Sequence, residues 1–329
     1  MQLRGPANSG SFPMNRQGSP VNTVMMWLTA LVVVAAFVAS SPFPHTFAQD
    51  DLGTIAPGAI HVAFTGDMPM TSLSDGKLGG TDGEMIGLIA NDLGLEIIPV
   101  QMDWAAAIES VATGRVDLML GAVGWTAERS SVMLLSDPVY YFRVHLAQKS
   151  NTSWHSLSDM AGKNVGTVTG FSLVSEMKTV PDIAEIRLYD TSDAALRDLV
   201  AGRIDIAILD PPLVAMAIKE HPEWNLHQIP LDPDPHFPIM STTYNATMGI
   251  RKDALALHDA VNAEIAELWA TCTNQAIMSR YGVIGAGFFT PPDPNPRVGV
   301  DRELGWISPT LNAACDPSTG GEPPSPVLP

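Results

Sequence analysis

Thr113-Gly114-Arg115-Val116-Asp117-Leu118-Met119-Leu120 is echoed later in the chain by Ala201-Gly202-Arg203-Ile204-Asp205-Ile206-Ala207-Ile208. In each copy a periodic stretch, Trp104–Thr113 or Ser192–Ala201, reads as a helix that ends at a glycine, the residue that most readily adopts a left-handed cap. The apolar run that follows reads as a buried strand. Two such units can be a chance likeness; if the echo is structural, they hold equivalent places in two similar lobes. Further strands are predicted at Ile60–Phe64, Leu95–Val100, Asp117–Gly121, Val144–Gln148, Asn164–Thr169, Glu185–Tyr189, Asp205–Leu209 and Thr247–Arg251, with a helix over Asp253–Trp269. Strands alternating with helices argue for an α/β architecture with largely parallel sheets.

Ligands of open α/β sheets bind beyond the carboxyl ends of strands, so the residues that follow each echoed strand matter most. After the first come Gly121-Ala122-Val123-Gly124-Trp125-Thr126-Ala127-Glu128-Arg129. Thr126 reads as a helix N-cap. The small residues leave backbone N–H groups approachable, and Arg129 offers a planar fork to a carboxylate. After the second come Asp210, Pro211 and Pro212. An Asp there can accept hydrogen bonds from an ammonium group, so a zwitterion would bridge the two units. The plainer readings are Arg129 as a surface charge and Asp210 as the N-cap of a proline-started helix.

The chain has 329 residues with 18 Lys+Arg against 35 Asp+Glu, a net charge of -17. Such a surface repels phosphate backbones and argues against nucleic acid as a partner. Val24 to Ala39 carry no charge, Arg4 and Arg16 precede them, and no acid occurs before Asp50. This reads as a signal peptide over residues 1–48, cleaved after Ala48, and as export to the periplasm. The two cysteines, Cys272 and Cys315, then form one expected disulfide in an oxidising compartment. His221, His227 and His236 are too loosely spaced for a metal site, and no cofactor motif occurs.

The ordered set of motifs resembles the polar amino-acid family of bacterial extracellular solute-binding proteins, which feed ABC importers. It runs through Trp104, Asp117, Arg129, Leu135-Ser136-Asp137-Pro138-Val139-Tyr140-Tyr141, Leu157-Ser158-Asp159-Met160-Ala161-Gly162-Lys163-Asn164-Val165-Gly166, Asp205 with Asp210, Met248-Gly249-Ile250-Arg251-Lys252-Asp253 and Ser279-Arg280-Tyr281-Gly282. The resemblance implies a two-lobed periplasmic-binding-protein fold of type II, with two mixed sheets flanked by helices and two crossover hinge strands. Lobe one would hold residues 49–148 plus 249–283 and lobe two 149–248. A proline-rich extension, 284–329, would pack on lobe one. The ligand set implied is Arg129 on the α-carboxylate with backbone at Ala122 and Gly124, Ser172 as a donor from lobe two, Asp210 on the ammonium, and Trp104 as an aromatic wall. The partners implied are a small zwitterion and an ABC permease in the inner membrane, met by a monomer.

Two departures bear on the ligand. In Phe64-Thr65-Gly66-Asp67-Met68-Pro69-Met70, Phe64 stands where the family usually has an acid, and Asp67 where it has an aromatic clamp. Asp67 in the cleft would favour a cationic side chain or an extra ammonium. Gly124 replaces a hydroxyl residue common at its position. The rival readings are a periplasmic dehydratase acting on cyclohexadienyl acids, with Glu176 or Asp67 as its general acid, and an accessory binding protein of a periplasmic quinoprotein dehydrogenase. The second is suggested by His236-Phe237-Pro238-Ile239.

Overall fold

The computed structural model describes residues 52–315; the expected leader and its cleavage point, and the tail beyond Cys315, lie outside them. The first sheet has the order β4-β1-β5-β13-β6, with β7 also paired to β13. Its strands are β1 (Ala59–Phe64), β4 (Glu96–Gln101), β5 (Leu118–Gly124), β6 (Met133–Leu135), β7 (Tyr140–Arg143) and β13 (Thr243–Arg251). A short hairpin of β2 (Ser72–Ser74) and β3 (Lys77–Gly79) stands apart. The second sheet has the order β10-β9-β11-β8-β12. It is built from β8 (His145–Lys149), β9 (Asn164–Val168), β10 (Glu185–Tyr189), β11 (Ile206–Ala207) and β12 (Leu226–Pro230). The helices are α1 (Gly80–Asp92), α2 (Trp104–Ala112), α3 (Ala127–Val132), α4 (Val174–Met177), α5 (Ser192–Val200), α6 (Pro211–Glu220), α7 (Pro238–Ser241), α8 (Leu255–Ala270) and α9 (Thr273–Arg280).

The echo is structural. In both sheets a first strand lies between a second and a third, parallel to each, and an antiparallel strand follows the third. β5 and β11 are the third strands. Each is entered in the same way: Gly114 and Gly202 take φ values of +72° and +71°, ending α2 and α5. Each following aspartate is then tied to the neighbouring first strand. Asp117 donates its N–H to the His61 carbonyl and accepts the His61 N–H on Oδ2 at 2.9 Å. Asp205 donates to the Asn164 carbonyl and accepts the Asn164 N–H at 2.8 Å. The Gly-Arg-x-Asp repeat therefore encodes a register lock, because a side-chain carboxylate fixes the strand where its ladder begins.

The chain passes from the first sheet to the second between Arg143 and His145 and returns between Pro230 and Thr243. The crossings expected near Val144–Lys149 and Tyr244–Ile250 begin at or just after these points. All of β8 pairs with β11 and β12, and all of β13 with β5, β6 and β7. Helix α1 has no counterpart in the sequence expectations. Glycines at 80, 83 and 87 lower its intrinsic propensity, and burial of Met85, Ile86 and Ile89 supplies what propensity does not.

Residues 284–315 are mostly irregular and lie along the first sheet. Arg297 is fully buried and donates to the carbonyls of Leu135 and Ser136, while Arg302 pairs with Asp137 at 2.9 Å. Tyr141 donates its hydroxyl hydrogen to the Pro309 carbonyl, and Asn245 and Asn295 exchange side-chain hydrogen bonds. The segment thus holds β6, β7 and β13. Its far end is fastened by a Cys272–Cys315 disulfide across a sequence separation of 43. Replacing both cysteines by serine is expected to cost about 2 kcal/mol in urea unfolding, at the low end for such a loop because the arginine anchors already order the segment. An unchanged midpoint would mean that the anchors alone suffice.

Candidate functional site

Between the sheets lies a small cavity of about 30 Å³, reached by residues from both. Trp104, Ala122, Gly124, Arg129, Ser172 and Asp210 all line it. Phe64 and Asp67 do not. Phe64 is fully buried at the end of β1. Asp67 accepts a hydrogen bond from the Ser192 hydroxyl at 3.2 Å, tying the loop after β1 to the start of α5.

Thr126 caps α3 by accepting the Arg129 N–H at 3.1 Å, which aims the Arg129 side chain back toward the end of β5. The guanidinium is buried. It donates to the Gly124 carbonyl at 2.7 Å and to the Gly170 carbonyl at 2.8 Å, and sits 5.5 Å from the Trp104 ring centre. Burial draws its pKa down to about 10, offset by Tyr244, Asp210 and Glu128, so the cation persists at neutral pH. The surface-charge reading of Arg129 fails on this burial. Trp104 donates its indole N–H to the Gly170 carbonyl at 3.3 Å and meets Phe171 edge-on at 5.9 Å.

Asp210 occupies the N-cap position of the proline-started helix α6, yet its side chain makes no capping hydrogen bond. Its carboxyl is pushed up to about 8 by burial first, then by Asp67 and Asp82, with Arg129 acting in the opposite sense.

Asp82 was not foreseen. It is buried in the first turn of α1, and its Oδ2 accepts the N–H groups of Ala122 at 2.8 Å and Gly121 at 3.2 Å. Its Oδ1 accepts from Thr81 and from the Tyr140 hydroxyl. Gly121 and Ala122 both have positive φ, 112° and 52°, so the carboxylate holds the end of β5 in a kinked form costly for an alanine. The Ala122 N–H, expected to serve the ligand, is therefore already engaged with Asp82. A sequence signal existed: a carboxylate in the first turn of a helix whose neighbours are apolar or small. Asp82→Asn is expected to lower stability by about 1–3 kcal/mol: the amide oxygen can still accept the two N–H groups, but the amide NH2 cannot accept from the Thr81 and Tyr140 hydroxyls. An unchanged melting temperature would show that the kink needs no carboxylate.

Tyr244 and Phe142 also line the cavity and stack at 5.2 Å across the paired strands β13 and β7. A Cβ on Gly124 would stand 2.9 Å from the Tyr244 ring, which is why the usual hydroxyl residue has no room there. Glu176, the other acid of the dehydratase reading, accepts the Met240 N–H at 2.6 Å and does not line the cavity. Among the described residues no cluster of potential ligands for a metal occurs, and no helix is long and apolar enough to cross a membrane.

Two α/β lobes that share a cleft and are joined by two crossings define the class of two-lobed ligand-binding proteins. The chain belongs to the bacterial extracellular solute-binding proteins, family 3, whose pattern it matches over residues 60–284. It is 26% identical over 165 residues to a probable amino-acid-binding protein of Bacillus subtilis, YxeM; the match covers 49% of this chain and 62% of that protein. It is 24% identical over 213 residues to the histidine-binding periplasmic protein of Escherichia coli K12, covering 63% and 80%. The match spans about three fifths of the length of the first of these relatives. In fold it is similar to an ancestral arginine-binding protein bound to glutamine, with a TM-score of 0.62, 22% identity and coverage of 70% of this chain and 100% of that one. It is also similar to the arginine-, lysine-, histidine-binding protein ArtJ of Geobacillus stearothermophilus, at 0.61, 19%, 68% and 94%. The fold is that of type II periplasmic binding proteins, and these relatives are binding proteins rather than enzymes.

Proposed function

We propose that this protein, exported with removal of its leader, captures a small zwitterionic ligand by hinge closure and delivers it as a monomer to an ABC permease. The ligand is an amino acid or a close relative. The observation that carries this reading is a buried guanidinium and a half-buried carboxyl facing one cavity from different lobes, Arg129 from the first and Asp210 from the second. A carboxylate on Arg129 and an ammonium on Asp210 make one small molecule a bridge between lobes, so its binding energy favours the closed state. The Arg129 fork already reaches the Gly170 carbonyl, so closure brings second-lobe backbone up to the cation. The groups that would hold the ligand also sense the domain angle, which gives a permease a shape to distinguish.

The test is a thermal-shift screen of the chain from Gln49 onward against amino acids and other zwitterions. A ligand at a hundred times its dissociation constant should add about 2.7 kcal/mol to stability. A hit that depends on both the carboxylate and the amine supports the reading. A blank from folded, ligand-stripped protein counts against it and turns attention to the dehydrogenase-accessory role.

A further inference from the structure

The two charges of the cavity are each matched to one end of a zwitterion, which leaves the rest of the wall to contact the ligand's body. That remainder is apolar: Phe142, Val144, Leu173, Ile208, Leu209 and the ring of Tyr244. Apart from the Ser172 hydroxyl, its side-chain polar atoms are spent. The Tyr244 hydroxyl donates to the Ile239 carbonyl, and the Trp104 indole N–H to the Gly170 carbonyl. The Ser172 hydroxyl lies 3.6 Å from where a Gly124 Cβ would stand, on the carboxylate side of the cavity.

The two acids that could have served a cationic side chain are also committed. Asp67 faces Ser192 across the lobes, and Asp82 holds the backbone of β5 together with Tyr140. An amide or hydroxyl on the ligand would be buried against this wall without a partner, at about 1–3 kcal/mol each, and a charge would cost more. Shape points the same way. A cavity of about 30 Å³ has room for only about two or three water molecules, so every added methylene must hold the lobes further apart.

We infer that the ligand is a compact zwitterion with a short apolar body, such as a small aliphatic or cyclic amino acid, and not one with a charged or amide side chain. This rests on the zwitterion-bridging function proposed above. It also reassigns Asp67, expected to select a cationic side chain, to a contact that ties the closed lobes together.

The experiment is calorimetric titration of protein stripped of carried-over ligand by unfolding and refolding. Alanine, valine and proline are compared with arginine, lysine, glutamine and glutamate. The compact apolar set is expected to bind at least a hundred-fold more tightly than the polar set. Phe142→Leu, which shortens the floor side chain, should shift preference toward leucine over alanine by about ten-fold without admitting glutamine. If arginine or glutamine binds as tightly as alanine and loses that affinity in Arg129→Ala, the zwitterion reading stands and the apolar inference is overturned. If no amino acid binds, both fall. If alanine binds best but Phe142→Leu leaves the preference unmoved, the assignment of the floor is wrong.

Discussion

Arg129→Ala is expected to reduce affinity for any carboxylate ligand by roughly a thousand-fold, about 4 kcal/mol, while the protein still folds. A bidentate, charge-assisted hydrogen-bond pair in a buried site is among the stronger single contacts available to a small ligand. The loss here exceeds that of a surface pair because the guanidinium is buried and cannot be replaced cheaply by water. Folding should survive because the side chain's partners are two backbone carbonyls, of Gly124 and Gly170, beside a cavity that water can enter once the arginine is gone. Arg129→Lys should recover only part of the affinity, since a point charge lacks the fork and cannot serve the carboxylate and both carbonyls together. The measurement is titration calorimetry beside circular dichroism. Full affinity in the alanine variant would remove Arg129 from the site.

The part of this architecture that could be read in advance was the part encoded locally. Gly114 and Gly202 end helices, and Asp117 and Asp205 stand at fixed offsets from them, so the repeated unit announces itself within eight residues. Thr126 and Arg129 are likewise three residues apart, and the cap that links them formed as expected. What escaped was long-range. Asp82 reaches Gly121 and Ala122 across 39 and 40 residues, and nothing in either stretch alone names the other. Tyr244 lies against Gly124 only because β13 pairs with β5. The exact residue of each crossing is a long-range matter too: a strand near a hinge is apolar whichever sheet it joins, and hydrogen-bond pairing decides. Asp67 sits one hydrogen bond from the second lobe, so sequence alone could place it near the cleft but could not say which partner it takes.

Ligand affinity should rise with pH below about 8, by up to ten-fold per unit, and flatten above it. The cause is Asp210, whose carboxyl burial and the nearby charges of Asp67 and Asp82 push up to about 8 from an ordinary 3.8. With that shift the carboxyl holds its proton at pH 6 in the unliganded protein. An incoming ammonium favours the carboxylate, so binding expels a proton, and lower pH opposes it. The sign for stability follows from the same shift. A group whose folded pKa lies above its unfolded value adds stability that is complete below pH 4 and disappears as pH rises through 8. The free protein should therefore lose this contribution between pH 4 and 8. The liganded protein, with its carboxylate paired, should lose less, so the thermal shift caused by ligand grows with pH. Asp210→Asn should lower affinity by about a hundred-fold and abolish the slope, because the amide neither titrates nor carries charge. Calorimetry at pH 6, 7 and 8 in buffers of differing ionisation heat reads the proton count directly. A flat affinity with no proton released would mean that Asp210 does not receive the ammonium, and the bridge between lobes would have to be anchored elsewhere.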